Sequence, residues 1–215
     1  MDAELVRRTP GRVVVTALAG TVGRDYGTAT ANGVRHFLSV GASDVVGAPD
    51  VREDPDGALA MLRTARLVVL PGGSPSRLLL ALQTTGAGDA LAELLADEVA
   101  IVGSSAGAMV LGSWTVLPDR GGSDGVQVAP GLGLVPDLLV VPHWNGGGGR
   151  GDWLRAIGDQ VPADVIVLGI PEESGVLVEH GSPEQSPALT AVGRTATTLL
   201  RQQRDLEMQQ SWRLT

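Results

Sequence analysis

The chain has no cysteine and no lysine among its 215 residues. The missing cysteine excludes disulfides, thiolate metal sites and a cysteine nucleophile. The missing lysine excludes Schiff-base chemistry and a Ser–Lys dyad, and all 16 basic residues are arginine. Aromatic residues make up only 3% of the chain, so its core has to be built from aliphatic side chains.

The 16 basic residues are outnumbered by 24 acidic ones. The formal net charge of −8 argues against nucleic acid or an anionic membrane surface as a partner. No apolar run approaches the roughly 18 residues that a membrane-spanning helix needs. The segment Met1–Leu5 carries acidic residues where a secretion signal carries basic ones. We therefore expect one soluble, cytoplasmic domain over residues 1–215, as a monomer or a homodimer.

Short apolar runs alternate with segments of helical periodicity. Arg12–Leu18, Leu67–Leu70 and Val165–Leu168 are typical of buried strands, and Pro75–Gln83 is typical of an apolar helix. This alternation predicts an α/β fold with a doubly wound, mostly parallel sheet and helices on both of its faces. Residues 121–133 are rich in loop-forming residues, and the apolar runs near the C-terminus predict an antiparallel finish.

The segment from Val102 to Met109 places a serine among small residues where a strand runs into a helix. Gly103, Ser105 and Gly107 satisfy the pattern G-x-S-x-G, which is typical of a sharp strand-to-helix turn that exposes a nucleophilic hydroxyl. The small neighbours allow the two arms of the turn to approach each other. We interpret Ser105 as a nucleophile; the alternative is a structural turn or a phosphate-binding loop.

A serine hydroxyl needs a base to accept its proton and an acid to orient that base. Of the three histidines, His143 is the favoured base, because it lies just beyond the predicted strand Leu138–Val141, at the sheet edge where α/β proteins bind ligands. His36 lies within a predicted helix, and His180 lies in a polar turn. After the strand ending at Leu168, Glu172 is the favoured acid and Glu173 is the alternative.

Acyl transfer also needs backbone N–H groups directed at the oxyanion that develops in the reaction. The N–H of Ala106 lies at the serine turn. A second can come from Gly73, which follows the strand Leu67–Leu70, because the pair Gly72-Gly73 permits close approach of the backbone.

Four segments, each after a predicted strand, resemble the serine peptidases that include aspartyl dipeptidase (peptidase E) and cyanophycinase. The likeness is closest to the dipeptidase branch and extends from about Arg12 to Leu200. The segments are Pro71-Gly72-Gly73-Ser74 followed by Leu78, Gly103-Ser104-Ser105-Ala106-Gly107-Ala108, Val141-Pro142-His143-Trp144, and Leu168-Gly169-Ile170-Pro171-Glu172.

The resemblance implies a Ser-His-Glu triad. Ser105 is then the nucleophile, His143 the general base and Glu172 the acid that orients the imidazole, while Gly73 and Ala106 supply the oxyanion hole. It also implies a fold related to class I glutamine amidotransferases, whose cysteine nucleophile this chain lacks. The expected reaction is hydrolysis of a small peptide through an acyl-enzyme.

The resemblance also implies where the substrate is recognised. In the dipeptidase branch a basic residue after the histidine binds the substrate's acidic group, and Arg150 or Arg155 stands in that region. Ser74 occupies a position that is commonly asparagine in the family.

Two other classes of function compete with a peptidase. An α/β-hydrolase esterase orders its triad as serine, acid, histidine, which here needs His180 with Asp152 or Asp164. The second is a ligand-binding or regulatory homologue without turnover. We expect no cofactor: the dispersed histidines do not predict a metal site, and Gly131-Leu132-Gly133 does not open a helix as a dinucleotide site requires.

Overall fold

A computed structural model of the protein describes residues 1–118, 126–145, 151–179, 187–201, 204–206 and 211–213. The chain divides into two compact units. The N-terminal unit is Asp2–Val110, and the C-terminal unit consists of Met1 and Leu111–Thr215. Within the described residues, no helix combines the length and the apolar character needed to cross a membrane.

The N-terminal unit is built from alternating helices and strands. Its helices are α1 (Asp2–Arg8), α2 (Arg24–Ser39), α3 (Pro55–Leu62), α4 (Pro75–Thr84), α5 (Ala87–Ala96) and α6 (Ala106–Leu111). Its strands are β1 (Val13–Val15), β2 (Val45–Gly47), β3 (Leu67–Leu70) and β4 (Ala100–Gly103). They form a four-stranded sheet in the order β2-β1-β3-β4, and all three pairings are parallel.

The two central strands of this sheet, β1 and β3, are buried along their whole length. A parallel sheet covered by helices excludes water from both faces, so its strands are continuous apolar runs rather than alternating ones. Val13, Val15, Leu67 and Val69 pack with Phe37 of α2 in one apolar cluster. The predicted α/β fold with a mostly parallel sheet flanked by helices is therefore confirmed.

All antiparallel pairings between the described strands lie in the C-terminal unit. Its strands are β5 (Gly112–Pro118), β6 (Val126–Pro130), β7 (Val135–Pro142), β8 (Ile166–Ile170), β9 (Ser174–Glu179), β10 (Ala188–Gly193), β11 (Thr197–Leu199), β12 (Arg204–Leu206) and β13 (Ser211–Arg213). Helix α7 (Gly151–Ile157) and a 3-10 turn (Gly158–Gln160) complete it. A six-stranded sheet has the order β12-β11-β8-β7-β5-β6, and a three-stranded sheet has the order β13-β10-β9.

The prediction of a loop over residues 121–133 is wrong for strand β6. Val126–Pro130 pairs antiparallel with Gly112–Pro118, with Val116 opposite Val128. Strand β5 starts at Gly112, directly after the last residue of helix α6. The pairing is a tertiary preference that overrides the local Gly and Pro content.

A hydrogen-bonded tyrosine links strands β1 and β2 of the N-terminal unit. Tyr26 is 6% exposed and donates its hydroxyl proton to the carbonyl of Ala48, 2.9 Å away. Because the tyrosine proton is used in this hydrogen bond, the hydroxyl of Thr16, 3.2 Å away, donates to the tyrosine oxygen. Burial raises the pKa of Tyr26, and the hydrogen bond from Thr16 opposes that shift only in part.

The raised pKa gives a spectroscopic prediction, because Tyr26 is the one tyrosine in the chain. The folded protein holds the phenolic proton to higher pH than the unfolded chain, whose tyrosine titrates near 10. This contribution to stability is complete below about pH 10 and is lost as pH rises through the folded pKa. Tyrosinate absorbance near 295 nm should therefore rise at a higher pH in the native protein than in denaturant. Equal midpoints would contradict the prediction, and Tyr26→Phe should abolish the signal.

Candidate active site

The serine turn joins strand β4 to helix α6 in a strained conformation. Ser105 has a φ of 52°, in the left-handed region that residues other than glycine rarely adopt. The N–H of Ser104 donates to the carbonyl of Leu70 at 3.0 Å, and the N–H of Gly107 donates to the carbonyl of Ser104 at 2.9 Å. Such strain costs on the order of 1–3 kcal/mol and is typical of functional turns.

The two glycines of G-x-S-x-G are required by contact distances. A Cβ atom added to Gly103 would lie 2.5 Å from the backbone nitrogen of Ala108, within van der Waals overlap. A Cβ added to Gly107 would lie 2.9 Å from the carbonyl carbon of Leu70 and closer still to its oxygen. The missing side chain of Gly103 lets strand β4 approach helix α6, and the missing side chain of Gly107 lets the helix approach strand β3.

The loop after strand β3 lies against the serine. A Cβ added to Gly72 would be 3.1 Å from Cβ of Ser105 and 3.6 Å from its Oγ. Gly73 has a φ of 144°, and a Cβ there would be 2.9 Å from Cβ of Ala19. Only glycine fits both requirements at position 73. The sequence-predicted oxyanion donor Gly73 therefore belongs to the same local structure as Ser105.

The N–H groups of Gly73 and Ala106 donate no hydrogen bond to any residue that the structure describes. Ala106 is 1% exposed. Ala106 is the first residue of helix α6, where the N–H groups have no partner within the helix, and Gly73 is exposed. Both N–H groups are therefore available to an acceptor that approaches the serine turn.

Ser74, a sequence-predicted substrate contact, has a structural role. Its Oγ accepts a hydrogen bond from the N–H of Arg77 at 3.3 Å, which caps helix α4. Pro75 then stands at the first helical position, where its missing N–H costs nothing.

In the C-terminal unit, His143 and Glu172 are brought together by two neighbouring parallel strands. In the pairing of β7 with β8, Pro142 lies opposite Ile170. The loops that follow both strands therefore leave the sheet at the same edge. Nδ1 of His143 lies 2.5 Å from Oε1 of Glu172. The two side chains are 41% and 77% exposed.

His143, like Ser105, has a left-handed backbone, with a φ of 57°. The next residue holds this turn in place: the N–H of Trp144 donates to the carbonyl of Ile170 at 3.0 Å, and the indole is 8% exposed. Gly169 makes room for it, since a Cβ there would lie 2.7 Å from Cγ of Trp144.

The neighbouring acid is engaged elsewhere. Glu173 accepts from the guanidinium of Arg194 at 2.8 Å, and its carbonyl accepts from the Arg194 N–H at 3.1 Å. The carboxylate in contact with His143 is therefore that of Glu172. Sequence proximity alone left the two acids open, and the partner of Glu173, Arg194, lies some twenty residues later in the chain.

The remaining sequence-predicted residues lie on exposed positions or outside the described part of the chain. Arg155 is exposed on helix α7, and Asp164 is exposed before strand β8. Arg150 and His180 lie outside the described residues, as does the side chain of Asp152. His36 is exposed, with Nε2 2.7 Å from the carboxylate of Asp2. Among the described residues, no group of three His, Asp or Glu side chains is placed to hold a metal ion.

The fold is similar to those of two solved structures. One is a peptidase from an acI-B1 Actinobacterium, with 21% identity, 99% of this chain and 89% of that one covered, and a TM-score of 0.75. The other is a candidate peptidase E protein from Listeria monocytogenes EGD-e, with 18% identity, 90% and 93% covered, and a TM-score of 0.62. The fold is thus of the peptidase E type.

The family follows from the sequence comparison. The family model of peptidase family S51 matches residues 17–185, which is more than half of the chain. The chain belongs to peptidase family S51, and this membership supports a serine peptidase.

The glycine contacts at the serine turn predict the effect of one methyl group. Gly107→Ala should lower the free energy of unfolding by about 1–3 kcal/mol, because the new Cβ overlaps the Leu70 carbonyl. Gly27→Ala is the matched control: position 27 lies in helix α2 with nothing within 4 Å of an added Cβ. That variant should be stabilised by about 0.4–1 kcal/mol. Denaturant titration of both variants checks this, and equal effects would contradict it.

Proposed function

We propose that the protein is a serine-type hydrolase of small peptides, similar to a dipeptidase, that works through an acyl-enzyme on Ser105. The observation that carries the proposal is the strained Ser105 turn in a chain of family S51. The N–H groups of Gly73 and Ala106 beside it have no acceptor among the described residues. This combination offers a nucleophile and a place for the negative charge that its attack creates. A catalytic serine accounts for the left-handed Ser105 better than a structural turn does.

His143 is proposed as the general base and Glu172 as the acid that orients it. The carboxylate of Glu172 accepts a hydrogen bond from Nδ1–H of His143, and the lone pair on Nε2 is then available to accept the proton of Ser105. Because both side chains are partly or largely exposed, the pair adds little to stability. Its value lies in fixing the tautomer and the direction of the ring.

The reaction proceeds in two halves. Oγ of Ser105 attacks the peptide carbonyl as its proton passes to His143, and the oxyanion accepts from the N–H groups of Gly73 and Ala106. His143 returns the proton to the leaving amine, which departs. Water then attacks the acyl-enzyme with the same base, and Ser105 is released. Each oxyanion donor is worth on the order of 3–4 kcal/mol of barrier.

The proposed substrates are dipeptides or other small peptides with a free N-terminus and an acidic first residue. A protein with a net charge of −8 needs a local cation to bind such a substrate. Arg150 or Arg155 is the proposed cation. Ser74 is less suited to this role because its hydroxyl already caps helix α4. No cofactor enters the proposal, and a monomer or a homodimer in the cytoplasm remains the prediction for its assembly and location.

The rival functions differ in how they relate to these findings. Membership of a peptidase family favours a peptidase over an α/β-hydrolase esterase. A homologue that binds peptides without turnover shares the family and the fold, and only measured activity separates it from an enzyme.

Replacing the nucleophile tests the reaction. Ser105→Ala should lower kcat by roughly 10⁴–10⁶ on a dipeptide that the wild type cleaves, with the fold unchanged. Ser104→Ala is the matched control, since this neighbouring serine is exposed and should leave kcat within a few-fold. Asp-Leu and Asn-Leu should be assayed side by side, because they differ in charge and hardly in shape.

A fluorophosphonate probe gives a second readout of the same prediction. It should label the wild type and Ser104→Ala but not Ser105→Ala. Wild-type rates in Ser105→Ala would refute the nucleophile. A folded wild type that neither labels nor cleaves any peptide of the panel would favour the binding homologue.

The acid is tested by two adjacent substitutions. Glu172→Gln should lower kcat by about 10²–10⁴. A neutral amide no longer holds the imidazole in the tautomer with its proton on Nδ1, which is the tautomer in which Nε2 can act as the base. Glu173→Gln should leave kcat within a few-fold, since that carboxylate pairs with Arg194. Steady-state kinetics of the two variants check this. A larger loss of kcat in Glu173→Gln than in Glu172→Gln would show that Glu173, and not Glu172, orients His143.

A further inference from the structure

Three consecutive carbonyls of one loop accept hydrogen bonds from arginine in the N-terminal unit. The loop is Leu18–Gly20, which follows strand β1. Nη1 of Arg52 lies 3.4 Å from the Leu18 oxygen and 2.9 Å from the Gly20 oxygen. Between them, the Ala19 oxygen accepts from Nε of Arg77 at 3.2 Å. A short loop held at each of its carbonyls has little freedom to move.

Arg52 is itself fixed by a buried carboxylate. Its Nε and Nη2 donate to Oδ1 and Oδ2 of Asp50 at 2.8 and 2.7 Å, a two-point pairing that sets the guanidinium plane. The Asp50 side chain is 2% exposed, and that of Arg52 is 18% exposed. The hydrogen bond to Asp50 raises the pKa of Arg52, so the guanidinium stays charged. The Tyr26 ring lies 5.8 Å from the guanidinium carbon.

The clamped loop supports the proposed oxyanion donor. The Ala19 oxygen accepts from the N–H of Ser74 at 3.1 Å, directly after Gly73. A Cβ on Gly73 would meet Cβ and O of Ala19 at 2.9 and 3.0 Å. Gly73 therefore rests against Ala19 without space between them. A shift of the loop would therefore displace the Gly73–Ser74 peptide and, through the α-carbon of Gly73, its N–H group.

We propose that the Asp50–Arg52 pair is a positioning device for the oxyanion hole, acting on Gly73 through the loop Leu18–Gly20. The inference rests on the proposed role of Gly73 in the peptidase reaction. Arg52 is a positioning residue, since it touches the loop and not the reacting atoms. An N–H group aimed at the oxyanion loses much of its effect when it is displaced by a fraction of an ångström, because a preorganised donor acts through its fixed geometry.

The test replaces the guanidinium and keeps the aliphatic stem. Arg52→Met should lower kcat by about 10–100-fold with KM within two- to threefold, because the oxyanion forms only after binding. Inhibition by a dipeptide aldehyde, whose adduct on serine carries the oxyanion, should weaken by the same factor as kcat. If the substitution only reduced the amount of folded protein, the measured rate would fall in proportion and the inhibition constant of the aldehyde would stay unchanged.

The matched control is an ion pair at the other end of the same strands. Nε of Arg12 donates to Oδ2 of Asp44 at 2.9 Å, and these residues precede β1 and β2. Arg12→Met should leave kcat, KM and the aldehyde affinity as in the wild type. If Arg52→Met does not fold, Arg52→Lys tests the same role. Lysine keeps the positive charge beside Asp50 but lacks the planar, two-point donor geometry of the guanidinium, so kcat should fall by a smaller factor than in Arg52→Met.

Each outcome separates the two proposals. Equal kcat and aldehyde affinity in folded Arg52 variants and in Arg12→Met would overturn the positioning role while the peptidase stands. A loss confined to KM would overturn it as well. Should Ser105→Ala retain turnover, or the wild type fail to label at Ser105, the proposed function fails and the positioning role falls with it.

Discussion

The carbonyl of Leu70 and the missing side chains of Gly103 and Gly107 set the geometry around the serine. The Leu70 oxygen accepts from the Ser104 N–H and leaves no room for a Cβ at position 107. Strand β4 and helix α6 consequently meet so closely that Ser105 takes a left-handed backbone. The strain at one residue is sustained by hydrogen bonds and close packing on both sides of it.

The second half of the proposed machinery depends on a different constraint, the parallel pairing of β7 and β8. Because Val141 lies opposite Gly169, the residues that follow each strand leave the sheet together. The contact between His143 and Glu172 follows from this register and from the Trp144 N–H bound to Ile170. A shift of the register would separate imidazole and carboxylate, whatever their sequence neighbours.

Family S51 and the peptidase-type neighbours agree on a fold that persists at 21% and 18% identity. What such distant sequences can share is backbone geometry. In this chain the loop Leu18–Gly20, which lies against Gly73, is held by Arg52 and Arg77, and Arg52 is paired with the buried carboxylate of Asp50. Buried charges are costly unless fully paired, so a pair as well satisfied as Asp50–Arg52 also restricts the loop to one conformation.

The sequence by itself determined the α/β fold, the strands that precede the serine, the histidine and the acid, and the small residues of the serine turn. These features depend on periodicity and local sterics, which neighbouring residues encode. Only the tertiary structure decided that Glu172 rather than Glu173 contacts His143, that β5 and β6 form a hairpin, and that Ser74 caps a helix. It alone brought Arg52 to the loop after β1, some thirty residues earlier in the chain. Such pairings depend on groups that are distant in sequence, and no local pattern specifies which partner a side chain will reach.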